Sequence, residues 1–173
     1  FGVQDEIAST ILSELLDKII HIDSKEDKGK SNNIDAYNVY LEGISFWNER
    51  NYKSLEKANV QFKKAISMDS TFSLAYCMLS DTYYMLSGYK NPEEQKSIKD
   101  KAWESLKIAE SLGDTSSEFY VAYAHHFSDQ GKNIESIDYL LTAIEKNPNY
   151  AVAHHRLALL YNDEFREDEA IKE

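Results

Sequence analysis

Small side chains recur in this sequence at a fixed spacing, and that spacing limits the folds open to the chain. Pairs of Ala or Ser lie seven residues apart three times, with a large apolar residue between them. Another small residue follows fifteen positions after each pair, inside an aromatic-rich run. Seven residues are about two helical turns, so each pair predicts a helix packed closely against a neighbour. These positions are Ala58 and Ala65, Ala102 and Ala109, Ser136 and Ala143, then Ser80, Ala124 and Ala158.

The spacing resembles the tetratricopeptide repeat, a helix–turn–helix unit of about 34 residues. A full-length match runs from Ser117 to Tyr150, where small residues, aromatics and a proline stand at the positions that the repeat requires. The resemblance implies an all-α fold, a right-handed superhelix of antiparallel helix pairs with a concave inner face. The matching residues are Tyr120, Tyr123, Ala124, Phe127, Gly131, Ser136, Leu140, Ala143 and Pro148.

The resemblance divides residues 34–173 into four units, at 36–72, 73–116, 117–150 and a truncated 151–173. The first two units carry insertions between their two helices. We expect the second insertion to lengthen both helices of its unit, because Pro92 and the acidic pair after it suit a helix start. Residues 1–22 predict an extra amphipathic helix, since apolar side chains recur there at helical spacing. Residues 23–33 carry mixed charges without periodicity, which predicts a mobile linker.

Two short runs near the N-terminus resemble the start of the tetratricopeptide region in bacterial multidomain signalling proteins. They are the opening Phe1 to Ala8 and the run Ala36-Tyr37-x-x-Tyr40-Leu41-x-Gly43. That group includes class III adenylate cyclases, winged-helix regulators and Ser/Thr kinases, with the catalytic or DNA-binding domain upstream. The resemblance implies that the chain is a fragment of such a protein. We expect a cytoplasmic location, or a periplasmic one if the parent carries an upstream transmembrane helix.

Charge and composition exclude several other classes of function. The 30 acidic residues exceed the 19 Lys and Arg, and a net charge of −11 argues against nucleic acid as a partner. No run approaches the roughly 20 apolar residues that span a bilayer, so we expect no membrane insertion. The single cysteine, Cys77, excludes an internal disulfide and a thiolate-rich zinc site. No catalytic or phosphate-binding motif occurs, which predicts a protein that is not an enzyme and needs no cofactor or metal.

In the tetratricopeptide family, fixed positions on the first helix of each unit line a groove that binds peptides. The residues at those positions here are mostly apolar or aromatic with scattered acids, which favours a protein or peptide partner of apolar or basic character. We expect Tyr40, Trp47 and Tyr84 to dominate the affinity. The candidate groove residues are Tyr37, Tyr40, Ile44, Trp47, Leu74, Cys77, Asp81, Tyr84, Met85, Val121, His125, Asp129, His155, Leu159 and Asn162.

Other interpretations of the same groove stay open at the level of sequence. The chain itself, for instance the helix of residues 1–22, could fill it. The groove could also bind a small molecule and sense a ligand for a multidomain enzyme such as an adenylate cyclase. His125 and His155 could share a metal, but no third ligand has suitable spacing. We do not expect the groove to bind the C-terminal carboxylate of a peptide. In this family basic residues at fixed positions bind that carboxylate, and here Arg156 is the single basic candidate at those positions.

The truncated fourth unit predicts an exposed surface at the C-terminal end of the array. Tetratricopeptide arrays need a capping helix with a polar outer face, and here the chain ends within the second helix of the unit. We therefore expect Leu157, Leu160 and Tyr161 to lack cover. Self-association through this end, or fraying of it, would follow.

Overall fold

The computed structural model describes residues 29–163, and seven helices account for 79% of them. No strand occurs within that range, which confirms the all-α fold. None of the described helices is long and apolar enough to cross a membrane. The helices are α1 (Ile34–Asn48), α2 (Tyr52–Met68), α3 (Ser73–Ser87), α4 (Pro92–Ser111), α5 (Ser117–Asp129), α6 (Asn133–Lys146) and α7 (Ala151–Asp163).

Consecutive helices pack against each other as pairs, α1 with α2, α3 with α4, and α5 with α6. We call the first member of each pair, together with α7, an A helix, and α2, α4 and α6 the B helices. Small residues allow the two helices of a pair to approach closely. A side chain added at Gly43 would come within 2.6 Å of the Phe62 ring. The pairs then stack through α2 on α3, α4 on α5 and α6 on α7, as the repeat predicts.

The second insertion lengthens the B helix of its unit but not the A helix, since α3 has 15 residues, as many as α1. Helix α4 begins at Pro92 and, with 20 residues, is the longest of the described helices. The Asn91 side chain caps its first turn by accepting a hydrogen bond from the Glu94 backbone N–H. Glu93 and Glu94 place negative charge at the positive end of the helix dipole.

Residues 29–33, which precede the array, are hydrogen-bonded to it. The Gly29 carbonyl accepts a hydrogen bond from the Leu74 backbone N–H at 3.1 Å. Ser31 donates through its hydroxyl to Asp69, and Asn33 caps α1. These bonds fasten part of the segment expected to be a mobile linker. The expected helix of residues 1–22 and the linker up to residue 28 lie outside the described residues.

The C-terminal end differs from expectation in one respect. Leu157, Leu160 and Tyr161, which were expected to lack cover, are all buried. Helix α7 packs against α6, and the three side chains join a core cluster with Leu140 and Val121. Their burial removes the reason given for self-association through this end, which stays a prediction that light scattering can test.

Candidate functional site

A buried carboxylate joins all four A helices. Asp81 of α3 is 3% exposed and accepts three hydrogen bonds from side chains far away in the sequence. Trp47 Nε1 of α1 donates at 3.1 Å, His125 Nδ1 of α5 at 2.7 Å and Arg156 Nη2 of α7 at 2.6 Å. We call these four residues the Asp81 cluster. A single side chain thus connects the first, second, third and fourth units of the array.

The charges in the Asp81 cluster balance one another. Burial by itself would raise the pKa of Asp81, but Arg156 and the hydrogen bond from His125 outweigh it and hold that pKa well below its usual range. Burial lowers the pKa of His125, and the positive charge of Arg156 adds to that effect, while Asp81 opposes it. At neutral pH the cluster therefore consists of a charged Asp81–Arg156 pair and a neutral His125 that donates from Nδ1.

Arg50 lies beside this cluster, in the turn after α1. Its guanidinium carbon sits 3.5 Å from the centroid of the Trp47 ring, which is the geometry of a cation–π contact. Its Nη1 atom lies 3.5 Å from Met85 Sδ. Within residues 29–163, no carboxylate forms an ion pair with Arg50.

A cavity of about 320 Å³ opens where Arg50 meets the third and fourth units. We call it the arginine pocket. Arg50 and Arg156 contribute its charged groups, and the described residues that line it include no Asp or Glu. Leu159 lies at the pocket and is 52% exposed, so an apolar surface adjoins the cationic one. The lining residues are Arg50, Ala124, His125, Ser128, Ser136, Leu140, His155, Arg156, Leu159 and Leu160.

The candidate groove residues fall into three groups by exposure, and binding of a partner at them stays a prediction. The buried ones contribute to the protein's own core, and the exposed ones are accessible to a partner. Buried are Tyr40, Trp47, Leu74, Cys77, Asp81, Tyr84 and Val121; half-buried are Tyr37, Ile44, Met85 and His125; exposed are Asp129, His155, Leu159 and Asn162.

The three aromatics expected to dominate affinity all have partners inside the protein. Tyr40 packs against the rings of Phe62 and Phe72. Trp47 donates to Asp81, and the Tyr84 hydroxyl lies 2.5 Å from His126 Nδ1. Substituting any of them would disturb the core, so a test of binding needs exposed residues instead.

Sequence reasoning missed Arg50, because that residue belongs to the turn after the A helix and lies outside the family's groove positions. One signal could have found it. The corresponding turn of the third unit carries Gly131, a residue suited to a helix end, whereas the first unit has an arginine there.

His125 and His155, considered as metal ligands, both line the arginine pocket. The part of the chain that the structure describes contains no group of three or more His, Cys, Asp or Glu placed to hold a metal ion. His125 Nδ1 is already engaged by Asp81.

A second cluster lies where α4, α5 and α6 meet. Trp103 of α4 stacks on His126 of α5, with ring centroids 4.0 Å apart. Tyr139 of α6 stacks on Tyr123 at 5.1 Å and on Phe127 at 5.2 Å. We call these five residues the aromatic cluster. It joins the second and third units by ring stacking.

Comparison with known proteins yields no family: no family model matches the chain, and no curated protein matches it. Among solved structures, a crystal structure of MamA is 20% identical, with 90% of this chain and 78% of that chain covered and a TM-score of 0.48. A crystal structure of MamA protein is 24% identical, covers 79% of this chain and 68% of that one, and has a TM-score of 0.45.

Proposed function

We propose that this chain is a non-catalytic protein-interaction module that binds a peptide or partner segment along its A helices, at the arginine pocket. The observation that carries the proposal is the cavity of about 320 Å³ with both polar and apolar walls. Binding sites commonly combine an apolar surface with a few placed polar groups. Leu159 supplies the apolar surface, and the polar groups are those of Arg50, His155 and Arg156.

Leu159 offers the sharpest test, because it is accessible and lies outside the core. A peptide library displayed on phage is selected on the wild-type protein, and the selected peptides are synthesised. We expect Leu159→Asp to weaken their binding at least about tenfold, since it puts a charge where an apolar side chain would be desolvated. Isothermal titration calorimetry measures the dissociation constants.

Ile134 provides the matched control. It is 76% exposed on the B helix α6 and is not among the residues that line the pocket. Ile134→Asp makes the same chemical change and should leave the peptides bound. Peptides that lose affinity with Ile134→Asp and keep it with Leu159→Asp would place binding on the B helices and contradict the proposal.

A small-molecule sensor is the second candidate, favoured by a cavity volume near the lower end of the range for ligand pockets. The two functions predict different results in one experiment. A metabolite library that raises the melting temperature of the wild-type protein, but not of Leu159→Asp, together with a failure to select any peptide, would favour the sensor.

The resemblance of the N-terminal runs to bacterial signalling proteins supports a further part of the proposal. The module would then serve a larger signalling protein, on the cytoplasmic side. Sequencing the reading frame upstream of Phe1 tests this, since a cyclase, kinase or winged-helix domain should be encoded there.

A further inference from the structure

Three described helices end in a residue with left-handed backbone, and one of these three is not glycine. Gly113 after α4 has φ +76°, Gly131 after α5 has φ +72°, and Arg50 after α1 has φ +55°. Glycine adopts this conformation without steric cost, whereas a residue with a Cβ atom is strained there. The turn therefore suits glycine better than arginine.

Two contacts orient the Arg50 side chain. Stacking on Trp47 fixes the plane of the guanidinium, and the Met85 sulfur lies against one of its nitrogens. Stacking occupies a face of the group and leaves N–H donors at its edge, in the fork that matches a carboxylate. A donor that is oriented before binding loses less entropy when it binds.

Charge in the arginine pocket is incompletely compensated. Asp81 pairs with Arg156, while Arg50 has no such partner within the described range. Partial desolvation lowers the pKa of Arg50, and although Asp81 opposes this, Arg156 lowers it further. An anion bound between the two arginines would relieve their repulsion.

We propose that the arginine pocket binds the carboxylate of an acidic side chain in the partner segment, with Arg50 as the principal donor and Leu159 contacting an apolar neighbour. The proposal rests on the proposed function and names the chemistry of its ligand. It differs from the apolar or basic peptide that the sequence favours, because Arg50 is not at a groove position of the family.

Charge complementarity selects this occupant. The chain as a whole carries a net charge of −11, yet the described lining of the pocket holds two arginines and no carboxylate. Asp81 compensates Arg156, so Arg50 supplies the uncompensated positive charge. The net charge disfavours an acidic side chain at the protein as a whole, whereas the uncompensated charge of Arg50 favours one at this pocket.

Sodium propionate, which reproduces the end of a Glu side chain, tests the pocket without a peptide. It is titrated at constant ionic strength while arginine Nε–Hε resonances are recorded by NMR. We expect saturable shifts for Arg50 and Arg156, and none with propionamide. Chloride reproducing the shifts, or inorganic phosphate binding ten times more tightly than propionate, would overturn the assignment of a carboxylate site.

Arg50→Gly is the decisive variant, because glycine fits the left-handed turn and the fold should stay intact, with an unchanged melting temperature. Propionate binding should weaken about 10- to 100-fold, the usual effect of losing a charge-assisted hydrogen bond. Lys64→Ala removes a positive charge from the exposed side of α2 and should leave it unchanged. If both variants weaken propionate binding equally, the binding depends on the net charge of the protein and not on Arg50, which would contradict the proposal.

The selected peptides, amidated at their C-terminus, separate this inference from the proposed function. Replacing their acidic residue by its amide should weaken binding to the wild-type protein at least tenfold and have little effect on Arg50→Gly. Peptides that bind equally well without the acid, with no propionate shift, would end the inference while the interaction module stands. If propionate binds but no peptide can be selected, the interaction module is contradicted and the carboxylate site stands.

Discussion

The Asp81 cluster and the aromatic cluster both hold units of the array together, one through polar contacts and the other through stacked rings. Both join units of the array through side chains of different helices. The Asp81 cluster uses one buried carboxylate and three donors from three other A helices. The aromatic cluster uses five stacked rings between α4, α5 and α6. The first depends on charge balance, and the second on buried area.

The two clusters differ in how well they tolerate substitution. A ring can be shortened and lose contact area in proportion, because packing is distributed over many weak contacts. A buried carboxylate cannot be removed gradually, since its loss leaves Arg156 charged and partly buried without its partner. Substitution of Asp81 should therefore lower the unfolding free energy more than substitution of a ring in the aromatic cluster.

The largest effect is expected from Asp81→Ala. Removing one member of a buried ion pair costs about 3–5 kcal/mol of unfolding free energy. Urea denaturation measures it, with Asp138→Ala on the exposed side of α6 as the control, expected within about 0.5 kcal/mol of wild type. A loss for Asp81→Ala below about 1 kcal/mol would show that the cluster contributes little, contrary to its geometry.

Tyr139→Ala tests the aromatic cluster and should cost about 2 kcal/mol, less than a fully buried ring because Tyr139 is half-buried. The cost should be the same at pH 5 and pH 7, since stacking of Tyr139 on Tyr123 and Phe127 involves no titrating group. Urea denaturation at the two pH values measures both. A cost that changed with pH would mean that Tyr139 also affects His126.

Stability should fall as the pH is lowered from 7 to 5. Burial lowers the pKa of both His125 and His126, so between pH 7 and pH 5 the folded chain binds fewer protons at these two residues than the unfolded chain does. The unfolded state then holds more protons and is favoured.

His126→Phe divides this pH dependence between the two clusters. Phenylalanine keeps a ring on Trp103 but cannot bind a proton, so the part of the slope that belongs to the aromatic cluster disappears. Thermal unfolding at several pH values measures the slope. If the slope of His126→Phe equals that of the wild type, the dependence belongs to His125 and the Asp81 cluster.

Arg50→Gly should have the smallest effect on stability, within about 0.5 kcal/mol. Relief of the left-handed backbone contributes about as much as the cation–π contact with Trp47 removes. Gly131→Ala, at the corresponding turn of the third unit, should instead lose about 1 kcal/mol, because it introduces strain and removes no contact. Equal losses in the two variants would show that the Arg50 turn is not strained.

Much of the fold could be predicted from the sequence because its signals are local. The seven-residue pairs such as Ala58 and Ala65 lie on one helix, so their spacing alone identifies a packed face. The start of α4 at Pro92 follows from the proline and the two acids directly after it. Exposure at the C-terminal end was misjudged, because the burial of Leu157 depends on how α7 packs against α6.

Local sequence patterns predict the helices, their pairing and the positions where pairs stack, since each depends on residues within one or two helical turns or on a repeat of fixed length. The candidate site, by contrast, exists only in the folded array. Asp81 meets partners 34, 44 and 75 residues away, and Arg50 of the first unit lines the same pocket as Leu159 of the fourth. Such contacts depend on the small rotation between successive helix pairs, which accumulates along the array and which helical periodicity does not specify.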